Sequence, residues 1–342
     1  IIFLILELVL IYNKINLIII ISINIIFTLI YAYLITKRTH KMYPWLKDKC
    51  DVIDISSISM TKDVFVHKIS SLVFSKTDSI ILSLFSLNYV TIYTSYNYIL
   101  DFLTNIVSKI YGAVKSSYIN IVVLNKADED KKFFNMFLSF SFFLAIFCAI
   151  TFHYTVNPVI NLWIGEKYTL SESSVLLFTL IIIGRIIINP VYIARDSKGL
   201  YKETKIFTIA QAIVNIVLSL ILVKKYKIFG VLLATVISQY FILIPCNIRI
   251  VYKKVINENF NKLIKNVLIM LFSAIILIFI NNIIKPFYMT NSLMAVIIYM
   301  LSVSIINFII LIIIYFWGNK DFKKLLLLLK NYLNKSGKKV KK

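Results

Sequence analysis

Residues 211–238 read QAIVNIVLSLILVKKYKIFGVLLATVIS, two apolar runs on either side of a basic KKYK at 224–227. Neither run alternates with period two. Extended into its flanks, each is long enough to cross a bilayer as a helix, which takes about twenty residues. The segment therefore predicts two transmembrane helices, at about 204–224 and 229–251. Runs of this kind recur from end to end of the 342 residues, 59% of which are hydrophobic, with a mean hydropathy of +0.84. That excludes an ordinary soluble domain. Seven glycines, five prolines and the absence of alternation also disfavour a transmembrane barrel.

Working outward, the remaining spans fall at about 15–36, 64–86, 89–112, 133–156, 174–195, 264–284 and 292–317. With the central pair this makes nine whole spans and one partial helix. The fold class is all-α, a polytopic transmembrane bundle. The first run is interrupted at Tyr12 to Lys14, too soon for a span, and it begins at Ile1 without Met. It reads as the tail of a longer helix in a truncated chain. The organisation expected is the end of one transmembrane lobe at 1–36 and a polar linker at 37–63. A six-helix lobe follows at 64–251, then a further hairpin at 264–317 and a basic tail at 318–342. The tail joins LLLLL to dense lysine, which suits a helix on an anionic leaflet.

The formal charge is +22. In a soluble protein it would suggest nucleic acid, but here the charge lies mostly in short loops. The loops at 37–68, 113–132, 195–205, 249–265 and 318–342 carry 29 Lys and Arg, and the opposite loops carry six. The first set is cytoplasmic by the positive-inside rule, and KKYK is its one local violation. Isoleucine, asparagine and lysine are all abundant, as AT-rich codons produce, so placement of lysine informs more than its number. Cys50, Cys148 and Cys246 are far apart, as are His40, His67 and His153, so neither a disulfide framework nor a metal site is indicated. No catalytic or nucleotide-binding template is present, and the longest outer loop, 157–173, is too short for an active-site domain. The reading is of a non-enzyme without cofactors.

Three cations remain inside predicted spans: Lys76, Lys109 and Arg185. Lys109 lies about a turn from the cytoplasmic end and can snorkel. Lys76 and Arg185 sit mid-span, where a charge costs about 2.5–3.5 kcal/mol on insertion scales. In VFSKTDSIILSLF, Val73 to Phe85, Lys76 and Asp78 point about 200° apart on a helix, so each needs its own partner. Asp78 either pairs with a basic residue of a neighbouring helix or serves function. Ser71, Ser75, Ser79 and Ser83 form a small-residue ridge for close helix approach. In the next span Tyr89, Tyr93, Asn97, Asp101, Asn105 and Lys109 recur every fourth residue, polar through its whole depth. The outer tyrosines, with Tyr96 and Tyr98, also fit an interfacial belt. Thr208, Gln211, Asn215 and Ser219 suit interhelical hydrogen bonds, and Arg185 precedes a proline kink at Pro190.

The succession SKTDSIILSLFSLNYVTIYTSY, NLWIGEKYTLS, RIIINPVYIARDSKGLYKETK and the stretch quoted first resembles the bacterial polysaccharide-biosynthesis flippases. These are the O-antigen and capsule repeat-unit exporters of Wzx type, in the multidrug/oligosaccharidyl-lipid/polysaccharide exporter superfamily. The resemblance covers about residues 20–255. It implies two lobes that rock about a cationic cavity in the bacterial cytoplasmic membrane. The cargo would be an undecaprenyl-diphosphate-linked oligosaccharide, moved from the inner to the outer leaflet. Partners would be that lipid, membrane lipids and other polysaccharide-assembly proteins, not nucleic acid. In that frame Lys76, Arg185, Lys109, Asn97 and Asn105 are substrate-binding candidates. Asp78 and Asp101 hold cations in place or exchange a proton or sodium ion. The competing readings are a multidrug or cation antiporter, which prefers acidic and aromatic lining, an integral-membrane polysaccharide polymerase or ligase, which carries a large outer loop, and an inactive partial chain.

Overall fold

Helix follows helix through the residues that the computed structural model describes, 2–47, 55–123, 127–285 and 292–339, and no strand occurs among them. Part of the predicted linker, 48–54 with Cys50, lies outside the described residues, as do the last three of the tail. The chain divides into two units, Ile1–Ser56 and Ser57–Lys342.

The first unit holds α1 (Ile2–Tyr12), α2 (Leu17–Met42) and a short 3-10 turn, Pro44–Lys47. The Asn16 side chain caps α2 by accepting the Ile18 amide at 2.9 Å. Ile21, Ile25, Ile26, Phe27 and Ile30, which spread round the helix, are all exposed, so α2 shows apolar residues on most of its surface, as a membrane helix does.

The second unit comprises α3 (Ile55–Ser83), α4 (Leu87–Val123), α5 (Ala127–Ile164), α6 (Glu172–Ile187), α7 (Asn189–Ser197), α8 (Tyr201–Ser238), α9 (Ile244–Val251), α10 (Asn261–Ile284), α11 (Leu293–Gly318) and α12 (Lys320–Lys339). Two π-helical turns, Gln239–Leu243 and Tyr252–Ile256, flank α9. Helix α5 is the centre of the unit, buried from Phe134 to Ile160 against α4, α6, α10 and α11. Contacts at both ends fix an antiparallel arrangement. Lys115–Asp196, Lys205–Asp63 and Lys254–Glu203 tie one set of ends, while Tyr154–Asn282 and Lys285–Glu172 tie the other. The first set is the basic face of the sequence.

Among the described residues, six helices are long and apolar enough to cross a membrane: 18–42, 129–164, 172–197, 201–256, 261–284 and 293–318. The protein is thus multi-pass. This is fewer than the nine spans expected, for two physical reasons. The segment 201–256 counts once although it turns back on itself, and α3 and α4 carry too many polar residues to be counted.

The turn in α8 is where KKYK sits. Lys227 leaves helical geometry at φ 52°, ψ −131°. Asn215 Nδ2 reaches Thr235 Oγ1 at 3.0 Å, a contact that twenty residues of straight helix, about 30 Å, would forbid. The arms lie so close that a Cβ on Gly230 would stand 2.6 Å from the Leu222 carbonyl oxygen. Gly230→Ala is therefore expected to force the arms apart and destabilise the protein by about 1–3 kcal/mol. A thermal melt in detergent checks this, and an unchanged midpoint would refute it.

Pro190 breaks the chain between α6 and α7. Having no N–H, it leaves the Ile186 carbonyl without its helical donor. Ser141 Oγ of α5 donates there at 2.7 Å, and Asn189 Nδ2 adds a bond at 3.1 Å. The predicted kink falls at Ile188, between α6 and α7, and is capped from a neighbouring helix. The tail forms α12, turned away from α11 at Asn319, whose side chain accepts the Asp321 and Phe322 amides at 3.1 Å.

Candidate functional site

A cavity of about 660 Å³ opens among α3, α4, α6, α7 and α8, in the half of the unit toward the basic face. Its lining follows helical spacing. Helix α3 presents Val64, His67, Lys68, Ser71 and Phe74, and α4 presents Thr104, Ser108 and Lys115. Arg185 comes from the end of α6, Tyr192, Arg195 and Asp196 from α7, and Tyr201, Thr208 and Gln211 from α8. Four cations, Lys68, Lys115, Arg185 and Arg195, face one carboxylate in this lining.

Each cation is held differently. Arg195 donates to Asp196 Oδ1 through Nε at 3.0 Å and through a terminal nitrogen at 2.8 Å. Its guanidinium lies over the rings of Tyr192 and Tyr201, at 4.5 and 5.1 Å, which fixes its plane. Lys115 takes the other oxygen of Asp196 at 2.5 Å. Arg185 is bound to Asp101 Oδ1 at 2.7 Å, and Asn97 Nδ2 donates to the second Asp101 oxygen at 2.9 Å. Lys68 is exposed at the cavity edge. The floor is polar and neutral: the buried His67 meets Thr208 Oγ1 through Nδ1 at 3.1 Å and the Tyr201 carbonyl through Nε2 at 3.1 Å.

The structure thus brings together three sequence candidates, Asn97, Asp101 and Arg185, and sets the last into the cavity wall. Lys76, Asn105 and Lys109 are exposed and do not line it. Ser75 and Ser83 of the expected ridge are exposed and bond back to their own helix, so that ridge is not the packed side of α3. The packed side holds His67, Asp78, Ile81 and Leu82.

Asp78 is buried at 3% exposure, and its partners are hydroxyls instead of a cation. Tyr93 and Thr235 donate to Oδ2 at 3.1 and 2.9 Å. Oδ1 has no partner, and neither do the Asn215 carbonyl oxygen and the Ser219 hydroxyl. Asn215 and Ser219 stand one turn apart on α8, and Thr235 joins Asn215 to Asp78 of α3. Of the outer tyrosines, Tyr93 and Tyr96 lie inside, Tyr96 donating to Asn157 Oδ1 and accepting the Leu170 amide at 2.8 Å, while Tyr98 is exposed.

Lys68, Lys115 and Arg195 escaped the sequence reading because they fell in segments taken as loops. Helix α4 has 37 residues, about 55 Å, against a hydrocarbon core of about 30 Å, so its last turns leave the lipid and carry Lys115 into the cavity. Ser108 and Lys115, seven apart, were the available signal.

No family model and no curated protein matches the chain. Among solved structures it is similar to the lipid II flippase MurJ in an inward closed conformation, at 18% identity with a TM-score of 0.46. The alignment covers 74% of this chain and 52% of that one, so the chain spans about half the length of that flippase.

Proposed function

We propose that the protein is an exporter of a lipid-linked glycan. It carries an undecaprenyl-diphosphate-linked oligosaccharide, an O-antigen or capsule repeat unit, across a bacterial cytoplasmic membrane by alternating access. The observation that carries this reading is the cavity of about 660 Å³ with four cations and one carboxylate in its wall. A diphosphate entering a hydrocarbon core needs fixed positive charge in a wet space, because its hydration is otherwise lost uncompensated. Arg185 and Arg195 present planar donor forks suited to phosphate oxygens, while Lys68 and Lys115 add point charges. The prenyl tail stays in lipid against the apolar outer face of α3, where Phe65, Ile69 and Leu72 are exposed. A cationic wall disfavours the antiporter reading, whose cargo is itself cationic.

Coupling is placed at Asp78, which exchanges a proton or a sodium ion during the cycle. The reading is supported by its donor-free Oδ1 together with the donor-free oxygens of Asn215 and Ser219. Asp101 has the other role, holding Arg185 in position.

Binding by the purified chain in nanodiscs, read by native mass spectrometry, tests the cargo. Undecaprenyl diphosphate should bind more tightly than the monophosphate, and both more tightly than undecaprenol, with the difference shrinking as salt rises. Equal binding of undecaprenol and its diphosphate would overturn the reading.

A further inference from the structure

A second cavity, of about 410 Å³, lies at the opposite end of the unit from the basic face, where α5 and α6 meet the hairpin of α10 and α11. Its polar groups carry a different charge balance. Glu172 and Lys285 form an ion pair at 3.0 Å with 80% and 58% of their side chains exposed, so the site is neutral overall and the pair is weak, within about 1 kcal/mol. A ligand hydroxyl can enter such a pair at little cost.

The other groups offer unused capacity. Thr179 gives its hydroxyl hydrogen to the Val175 carbonyl at 2.8 Å, so it can only accept from the ring of His153, whose Nδ1 lies 3.2 Å away. Nδ1 therefore carries the hydrogen, and Nε2 keeps a lone pair on the side of the ring away from Thr179. Asn282 Oδ1 accepts the Tyr154 hydroxyl at 2.8 Å, which leaves the two amide hydrogens of Asn282 for a ligand. Acceptor at His153, donor at Asn282, acceptor at Glu172 and donor at Lys285 alternate round one space, with the ring of Tyr299 and Pro158 as apolar wall.

Alternating donors and acceptors about a neutral pocket with an aromatic wall match vicinal hydroxyls on a ring with apolar C–H faces. They match neither an anion nor a cation. We propose that this cavity binds a sugar ring of the glycan on the exit side of the membrane. The inference rests on reading the cargo as a glycan, and it adds a second, charge-neutral station to the cationic one.

The test uses free sugars without lipid or phosphate. Saturation-transfer NMR on the chain in nanodiscs, with N-acetylglucosamine, galactose and glucose as probes, is expected to show binding of at least one in the millimolar range. Asn282→Leu and Glu172→Gln should each weaken it about tenfold and leave undecaprenyl diphosphate binding unchanged. Glu172 is exposed, so its replacement reports on the site without a folding defect. No saturation of any of the three sugars, or a signal undiminished in both variants, would overturn the proposal. Sugar binding in a protein that does not bind undecaprenyl diphosphate would sustain this cavity and remove the cargo reading.

Discussion

Arg185→Gln is expected to weaken undecaprenyl diphosphate binding by about tenfold to a hundredfold, more than neutralising any other single cation of the cavity. Loss of one charge-assisted hydrogen bond accounts for about 1.5–3 kcal/mol. A second effect adds to it, because Arg185 neutralises Asp101 at 2.7 Å. Without the guanidinium, an unpaired carboxylate held by Asn97 stands beside the anion site and repels the ligand. The double variant Arg185→Gln, Asp101→Asn removes that repulsion and should recover part of the loss. The difference between single and double variants measures the uncovered carboxylate, and the residue of the effect measures the lost contact. Arg185→Lys keeps the charge but not the fork, so it should fall between the wild type and Gln. Equal affinities across all four proteins would remove Arg185 from the anion site.

The second large effect concerns Asp78 and has opposite signs on stability and on transport. Asp78→Asn keeps an oxygen to accept from Tyr93 and Thr235 and eliminates a buried charge that no cation accompanies. A buried charge without a counter-charge is costly, so its removal is stabilising and the melting temperature should rise. An amide cannot take up or release a cation or a proton, so glycan export, measured after the change is made in the chromosomal gene, should be lost. Asp78→Leu removes the acceptor as well. It leaves the buried Tyr93 hydroxyl without its acceptor, at about 1–3 kcal/mol, while Thr235 keeps the Val231 carbonyl at 3.2 Å, and it should lower the melting temperature. Transport in wild-type vesicles that follows the sodium gradient at constant pH names sodium, and transport that follows pH alone names the proton. Full export by Asp78→Asn would refute coupling through this residue.

Helical geometry made part of this site legible in sequence. Residues two apart on a helix diverge, and Asp78 is buried while Lys76 is exposed. Residues four apart converge, and Asn97 bonds to Asp101 at 2.9 Å. Thr208 of the polar row in α8 bonds across helices to His67, and Asn215 bonds across the two arms of α8 to Thr235. What stayed hidden depended on tertiary distance. Nothing local links Arg185 to Asp101, 84 residues earlier, or Asp78 to Thr235. Hydropathy also ends a span where the lipid ends, whereas α4 continues, and the cavity cation Lys115 stands on that continuation. The asparagine contacts that dock the terminal hairpin were equally silent: Asn281 Nδ2 bonds to Asn307 Oδ1 at 2.7 Å, and Asn307 Nδ2 reaches Thr151 at 3.2 Å. Asn307 sits alone in an apolar run that reads as lipid-facing, and Asn281, beside Asn282, near the end of another.

The bond between Thr235 and Asp78 also sets an order on biosynthesis. Thr235 is translated 157 residues after Asp78, a delay of roughly 8–30 s at about 5–20 residues per second. During that interval the carboxylate has Tyr93, fifteen residues on, as its nearest permanent donor. Helices α3 and α4 are also absent from the segments apolar enough to rest in lipid unaided. The first two helices of this unit to leave the ribosome therefore cannot complete their packing until the hairpin of α8 arrives.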